Sequence, residues 1–341
     1  MPTPYDAILF VSFGGPEKRE DVLPFLENVL RGRNVPRERM LEVAEHYYHF
    51  EGVSPINAQN RMLMAAVETE LRAHNIHLPI YGGNRNWHPL LPDTLREMAA
   101  QGVKRALAFF TSSFSSYSGC RQYRENIAAA REEVGSTAPE VDKLRAFFNH
   151  PGFIETMLDR VRKAAAKLPQ ESRGEAKLLF TAHSIPLSMA VGCAYEVQLQ
   201  ESCRLVSAAV GLPDWRLVYQ SRSGPPTQPW LEPDVCDSLR EIAASEPQRP
   251  VIIVPIGFIS DHMEVMYDLD EEAAHVAQQI GLTLVRAGTA GTHPRFVQMI
   301  RELIQERLGD DPHRATIGKL PAKEDVCPAD CCVYVPRRPG T

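Results

Sequence analysis

The sequence predicts an α/β fold: two Rossmann-like domains, each with a parallel β-sheet flanked by helices, facing each other across a cleft. Apolar runs bounded by Gly, Pro or Asn alternate with helical stretches, the pattern of strands buried on both faces of a parallel sheet. The pattern occurs twice, as "AILFVSFGGP", "LPIYGGN" and "RALAFFTSSFSS" and then as "AKLLFTAHSIP", "WRLVYQSRSGP" and "PVIIVPIGFISDH". In each half the first strand runs into a turn closed by proline, at Pro16 and at Pro186.

The elements follow in order. Between the first three strands lie "MLMAAVETELRA" and "LPDTLREMAAQ", both with helical apolar spacing. The helix "HPGFIETMLDRVRKAAAKLP" precedes the charged, Gly-containing "QESRGEAK", which places a boundary between a first domain, 1–168, and a second, 169–309. The second domain ends in "PRFVQMIRELIQERLG", with Phe296, Ile300, Leu303, Ile304 and Leu308 on one side; that stripe is expected to pack back on the first domain. The tail, 310–341, is polar and Pro-rich, and is expected to have little regular structure unless a metal orders it.

Bulk properties exclude several classes. The chain has 341 residues, 44% of them hydrophobic, and a net charge of -6, so it is globular and shows no basic bias toward nucleic acid. The N-terminus "MPTPYDAILFVSFGG" has no charged segment before its apolar run, and that run is too short to span a bilayer. A cytoplasmic protein with no integral membrane segment is expected. Seven cysteines, an odd count, argue against a complete disulfide framework.

Ligands in open parallel sheets bind beyond the carboxyl ends of strands. His183 stands there, directly after the strand "KLLFTA". A lone histidine is more often a hydrogen-bonded core residue than a base, but its place at a strand end favours function. In "IGFISDHMEVMYDLDEE" Glu264, Asp268 and Glu272 fall four apart, which stacks three carboxylates along one helix face. Such a stack repels itself unless something positive sits beside it, and it suits a path for a divalent cation or for protons. The loop "YQSRSGPPTQPWLEPD" puts Trp230 and Leu231 in a polar setting, as an apolar wall or lip. In the tail, "CPADCC" gathers Cys327, Cys331 and Cys332; spacing alone leaves zinc, an iron–sulfur cluster and plain thiols open. No Gly-rich dinucleotide motif is present.

Taken together, "VSFGGP", "FLENVLRGRNVP", "EHYYHFEGVSPIN", "GNRNW", "SSYSGCRQYRENI", "FTAHSIP", "YQSRSGPPTQPWLEPDV" and "PIGFISDHMEVMYDLD" resemble the ferrochelatase family, closest to its actinobacterial coproporphyrin branch. The resemblance implies a porphyrin cleft between the two domains and insertion of Fe(II), as substrate, into a free-base porphyrin with release of two protons. It matches His183 to the catalytic histidine and Glu264 to its partner carboxylate. One of the pair binds iron and one takes protons. Asp268 and Glu272 extend the path.

The resemblance also matches Arg31, Ser54 and Tyr123 to propionate contacts for coproporphyrin III, which carries four propionates where protoporphyrin IX carries two. Phe13 stands where some members have an iron-ligating tyrosine, and His46 where some have an arginine. It further implies a [2Fe–2S] cluster on Cys327, Cys331 and Cys332, with Cys193 expected as the fourth ligand ahead of Cys203, Cys120 and Cys236. Hand-over of the product to a coprohaem decarboxylase is the implied partnership. The competing readings are a protoporphyrin IX ferrochelatase and a non-catalytic two-lobed porphyrin- or metal-binding protein with a zinc-bound tail.

Overall fold

The structure, a computed structural model, describes residues 5–32, 35–225, 227–309 and 313–334. Arg33 and Asn34 of "LRGRNVP" and both ends of the tail lie outside the described residues. The first sheet contains β1 (Ala7–Ser12), β2 (Ile80–Asn84), β3 (Arg105–Phe110) and β4 (Glu140–Lys143), in the order β2-β1-β3-β4. The second contains β5 (Lys177–His183), β6 (Trp215–Gln220), β7 (Val251–Val254) and β8 (Leu284–Arg286), in the order β6-β5-β7-β8. All pairings are parallel. The two sheets repeat one topology, with the first strand of each flanked by the next two.

The sequence pattern names three strands per sheet and misses β4 and β8. Both are edge strands. "EVDK" in β4 is charged and partly exposed, and "LVR" in β8 is only 3 residues long, so neither shows a buried apolar run.

Seven helices matter for the site: α1 (Val22–Leu30), α2 (Arg37–His49), α3 (Ile56–Ala73), α4 (Gln122–Val134), α5 (Pro151–Ala165), α6 (Tyr195–Val210) and α7 (Pro294–Leu308). The last of these packs on α3 and α5, burying Phe296, Ile300, Leu303 and Ile304. Each such side chain removed from water contributes about 1.5–3 kcal/mol. Arg301 Nε adds a 2.8 Å hydrogen bond to Glu70 on α3.

The tail has no helix or strand among its described residues, and contacts with the body of the protein hold it in place. Arg145, whose side chain is fully buried, pairs with Glu306 of α7 at 2.7 Å and donates to the Ala315 carbonyl. Asn149 donates to Leu320 O and accepts from Ile317 N. Further on, Arg121 donates to the carbonyls of Ala329 and Cys331 at 2.7 and 3.0 Å. The described tail residues thus have little regular structure, and side chains of the body fix their course.

The parts of the chain that carry the two sheets touch at several points. The Gln59 amide of α3 pairs with both backbone groups of Asp261, at 3.1 and 2.9 Å. The His46 ring of α2 stacks on Tyr267 at 3.8 Å, and Gln198 of α6 accepts from Ser115 N at 2.8 Å.

Candidate active site

β5 delivers His183 to the cleft because its register partner is Gln220, the last residue of β6, and both strands stop there. The turn that follows is fixed from three sides. Ser184 N donates to Gln220 O, Ser184 Oγ donates to Leu231 O at 2.8 Å, and Tyr195 Oη donates to His183 O at 3.0 Å. Trp230 and Leu231 are buried beneath this turn at 9% and 5% exposure, so they brace the turn after His183 and do not form an exposed lip.

Glu264 arrives from the other side. The strand β7 ends at Val254, and the chain then turns through Gly257, where a side chain would collide with Ala182 of β5 at 2.7 Å. His262 caps the next helix by accepting from Glu264 N at 3.2 Å. The result sets Glu264 Oε1 3.5 Å from His183 Nε2. Their side chains keep 45% and 33% of their surface open, which leaves the pair reachable from the cleft.

After one α-turn, Met263–Val265, the helix runs as a π-helix from Met266 to Ala273. This differs from the α-helix that the spacing predicts. In the wider i→i+5 turn, residues four apart still share a face, so the ladder survives. It leads from Glu264 in the cleft through half-buried Asp268 to Glu272, which is exposed. Asp268 accepts from Ser221 Oγ and, at 3.3 Å, from Gln220 Nε2, which also donates to Glu264 O at 2.9 Å. Ser221 sits in the left-handed region, φ 62, a conformation costly for a non-glycine residue and typical of functional sites.

The electrostatics split these groups. Burial pulls the His183 imidazole down, but the charge and hydrogen bond of Glu264, the Ser184 carbonyl and Asp268 outweigh it and hold the pKa up at about 9. Burial raises Glu264, yet the His183 charge and hydrogen bond, with His262, bring it down to about 2. For Asp268, burial dominates; the Ser221 hydrogen bond opposes it, the charges of Glu264 and Glu272 reinforce it, and the carboxyl is pushed up to about 7. Glu272 is raised by burial and by Asp234. At neutral pH without metal the foot of the ladder is thus an imidazolium–carboxylate pair, with a carboxyl titrating near neutrality beside it. The positive charge that the ladder needs is the His183 proton.

The substrate-side residues are more scattered. Phe13 is 36% exposed at the end of β1, its ring edge against Phe25 of α1. Arg31 is exposed at the end of α1 and donates to Asn28 Oδ1 at 2.6 Å. Ser54 and Tyr123 are 4% and 5% exposed, so both are largely covered. Sequence reasoning passed over Tyr195, Gln220, Ser221 and Arg85; all but Tyr195 lie at or just beyond strand ends, which is the signal that exposes His183.

Seven thiols are free. Cys203 lies in the core of α6, fully buried. Cys120 hydrogen-bonds Cys327, while Cys331 Sγ lies 3.5 Å from Cys332 Sγ, and Cys193 is near enough to Cys332 to raise its thiol pKa. These are two neighbouring groups. Among the described residues no set of three or more His, Cys, Asp or Glu side chains is arranged to hold a metal ion, so the arrangement does not support the [2Fe–2S] cluster.

Comparison with known proteins decides the family. The ferrochelatase family model matches residues 5–308. The chain is a ferrochelatase family member. It is 63% identical to the ferrochelatase of Rhodopirellula baltica, over 98% of this chain and 95% of that protein. It is 50% identical to the coproporphyrin III ferrochelatase of Streptomyces coelicolor, over 99% and 96%. Among solved structures, SirB from Bacillus subtilis with Fe3+ superposes with a TM-score of 0.55 at 12% identity, over 91% of this chain and 98% of that one, which shows a shared chelatase fold. The protein is a porphyrin metallochelatase, and the non-catalytic reading falls. No helix among the described residues is long and apolar enough to cross a membrane.

Proposed function

We propose that this ferrochelatase inserts Fe(II) into coproporphyrin III, giving coprohaem and two protons, with His183 and Glu264 at the reacting centre. The observation that carries the reaction is the His183–Glu264 pair at the foot of the carboxylate ladder. Support for the four-propionate substrate comes from a series of relatives named coproporphyrin III ferrochelatase, all matching at least 93% of the chain. Residues 1–168 and 169–309 form the two lobes in this reading, and 310–341 the tail.

The residues do the following. Glu264, ionised throughout the neutral range, is a fixed negative site that either a proton on His183 or an incoming dication satisfies. Fe(II) arriving beside the pair repels the imidazolium proton, which leaves by way of Asp268, the group whose pKa of about 7 lets it accept and release. Neutral His183 then takes a pyrrole proton as a nitrogen lone pair turns to iron. The second proton follows the same path to exposed Glu272. Arg31, Ser54, Tyr123 and Phe13 hold the macrocycle, Arg31 through paired hydrogen bonds to a propionate. The product keeps all four propionates, which makes it a substrate for a decarboxylase, the partner the family resemblance implies.

The test is direct. With Fe(II) under anaerobic conditions, kcat/KM for coproporphyrin III is expected to exceed that for protoporphyrin IX by at least roughly tenfold, the loss of two charge-assisted carboxylate contacts being worth that much or more. A clear preference for the two-propionate ring would overturn the substrate assignment.

The finer reading of the tail belongs here too: a [2Fe–2S] cluster on Cys327, Cys331 and Cys332 with Cys193 or Cys120. What supports it is the gathering of these thiols; what opposes it is the lack of a three-ligand group, and no step above passes through it. On this reading the anaerobically purified protein is coloured and gives an electron paramagnetic resonance signal after reduction. A colourless protein without that signal removes the cluster.

A further inference from the structure

One arginine ties together the two aromatic residues that the substrate reading places against the macrocycle. Arg85 follows β2, where its backbone N–H donates to Ser12 O at the end of β1 at 3.0 Å. Its guanidinium lies 4.6 Å above the Tyr123 ring centroid and 5.6 Å from that of Phe13. Its Nε donates to Asn126 Oδ1 at 2.6 Å, one helical turn beyond Tyr123 on α4. The ring contacts continue on both sides, from Tyr123 to the tilted Phe110 ring at 5.1 Å and from Phe13 edge-on to Phe25 at 6.1 Å. Three chain segments, after β1, after β2 and at the start of α4, therefore meet on one planar cation. The deep end of these contacts is covered, with Tyr123 5% exposed, and the open end is Phe13 at 36%.

We infer that Arg85 is a positioning residue for iron insertion: braced on buried Tyr123, it fixes the exposed Phe13 ring as a rigid wall against which the flat macrocycle is held. The inference rests on the porphyrin reading above. Only arginine fits this place. Its guanidinium lies within cation–π range of both rings while its Nε keeps the directional bond to Asn126, whereas a lysine ammonium is a compact, strongly hydrated charge that lacks that directional donor. A loosened wall misplaces the ring nitrogens relative to His183 and Glu264, and misplacement of this kind costs turnover more than affinity.

The test uses the full-length protein with Arg85→Lys, Arg85→Ala, Phe13→Leu and the double variant Arg85→Ala/Phe13→Leu, each checked for an unchanged thermal midpoint. For both Arg85 variants kcat is expected to fall roughly 10- to 100-fold with KM for Fe(II) unchanged, and the absorption band of bound free-base coproporphyrin to revert toward that of the free ring. The double variant should be no worse than the poorer single one, because both remove the same wall. Wild-type kcat and spectrum in Arg85→Lys would show that charge alone suffices, and additive losses in the double variant would show independent roles; either result overturns the inference. Should Arg85→Ala fold poorly, Arg85→Lys and Phe13→Leu still decide. A wild-type protein that inserts no iron into coproporphyrin III sinks the substrate reading itself, an outcome visible before any variant is compared.

Discussion

Replacing His183 by alanine is expected to lower iron insertion by on the order of 10³-fold while porphyrin binding, followed by tryptophan fluorescence, stays within a few-fold of wild type. The reasoning starts from what the side chain touches. Its Nε2 meets Glu264 and its Nδ1 is held by the Ser184 carbonyl, so its only freedom is to exchange one proton on the cleft side. Proton transfer by a placed group contributes typically 10²–10⁴-fold. Removal also leaves Glu264 without its cation, and the ladder then carries uncompensated charge until metal arrives. Metal should therefore bind the variant no more weakly than wild type while turnover collapses. Isothermal titration of a redox-inert divalent ion, beside anaerobic insertion kinetics, separates the two effects. Insertion that continues at the wild-type rate would remove His183 from the mechanism.

Much of this site can be read along the chain because it obeys one-dimensional rules. His183 stands where an apolar run stops, and strand ends are where open sheets bind. The three acids of the ladder keep a spacing of four. What the spacing cannot reveal is the π-helical turn from Met266 to Ala273, since i→i+5 bonding follows from how the turn packs and leaves no periodic trace in side-chain type. The same limit hides the Asp268 clamp. Ser221 and Gln220 approach it from 47 and 48 residues away, and their role depends on two strands ending in register. Trp230 shows a different limit. Its polar neighbours in sequence suggest exposure, but Pro186 pairs with it across the loop and buries it. The edge strands β4 and β8 were illegible for a third reason, being too short or too charged to carry the pattern that marks the central strands.

Glu264→Gln tests whether the proton on His183 and the iron compete for one place. In the wild type, His183 is protonated below about 9 because the Glu264 carboxylate outweighs burial. The sign follows: as pH rises from 6 toward 9 the imidazole loses its proton, the metal meets less competition, and kcat/KM for Fe(II) should climb across that window. A shoulder near 7 is expected from Asp268, whose proton also has to be free to move. Glutamine keeps the shape and removes the charge. Burial then prevails, the His183 pKa falls from about 9 toward or below its ordinary value, and the residue is a neutral base already at pH 7. Two consequences separate. The climb between 7 and 9 should vanish, because there is no longer a held proton to displace, whereas kcat/KM at the plateau should drop by roughly 10²-fold or more, because the fixed negative site for the dication is gone. The profile and the plateau are independent readouts of a single substitution. A Glu264→Gln enzyme that retains the alkaline climb would mean that the titrating group lies elsewhere. One that matches the wild-type plateau would mean that the carboxylate only holds the histidine and never meets the metal.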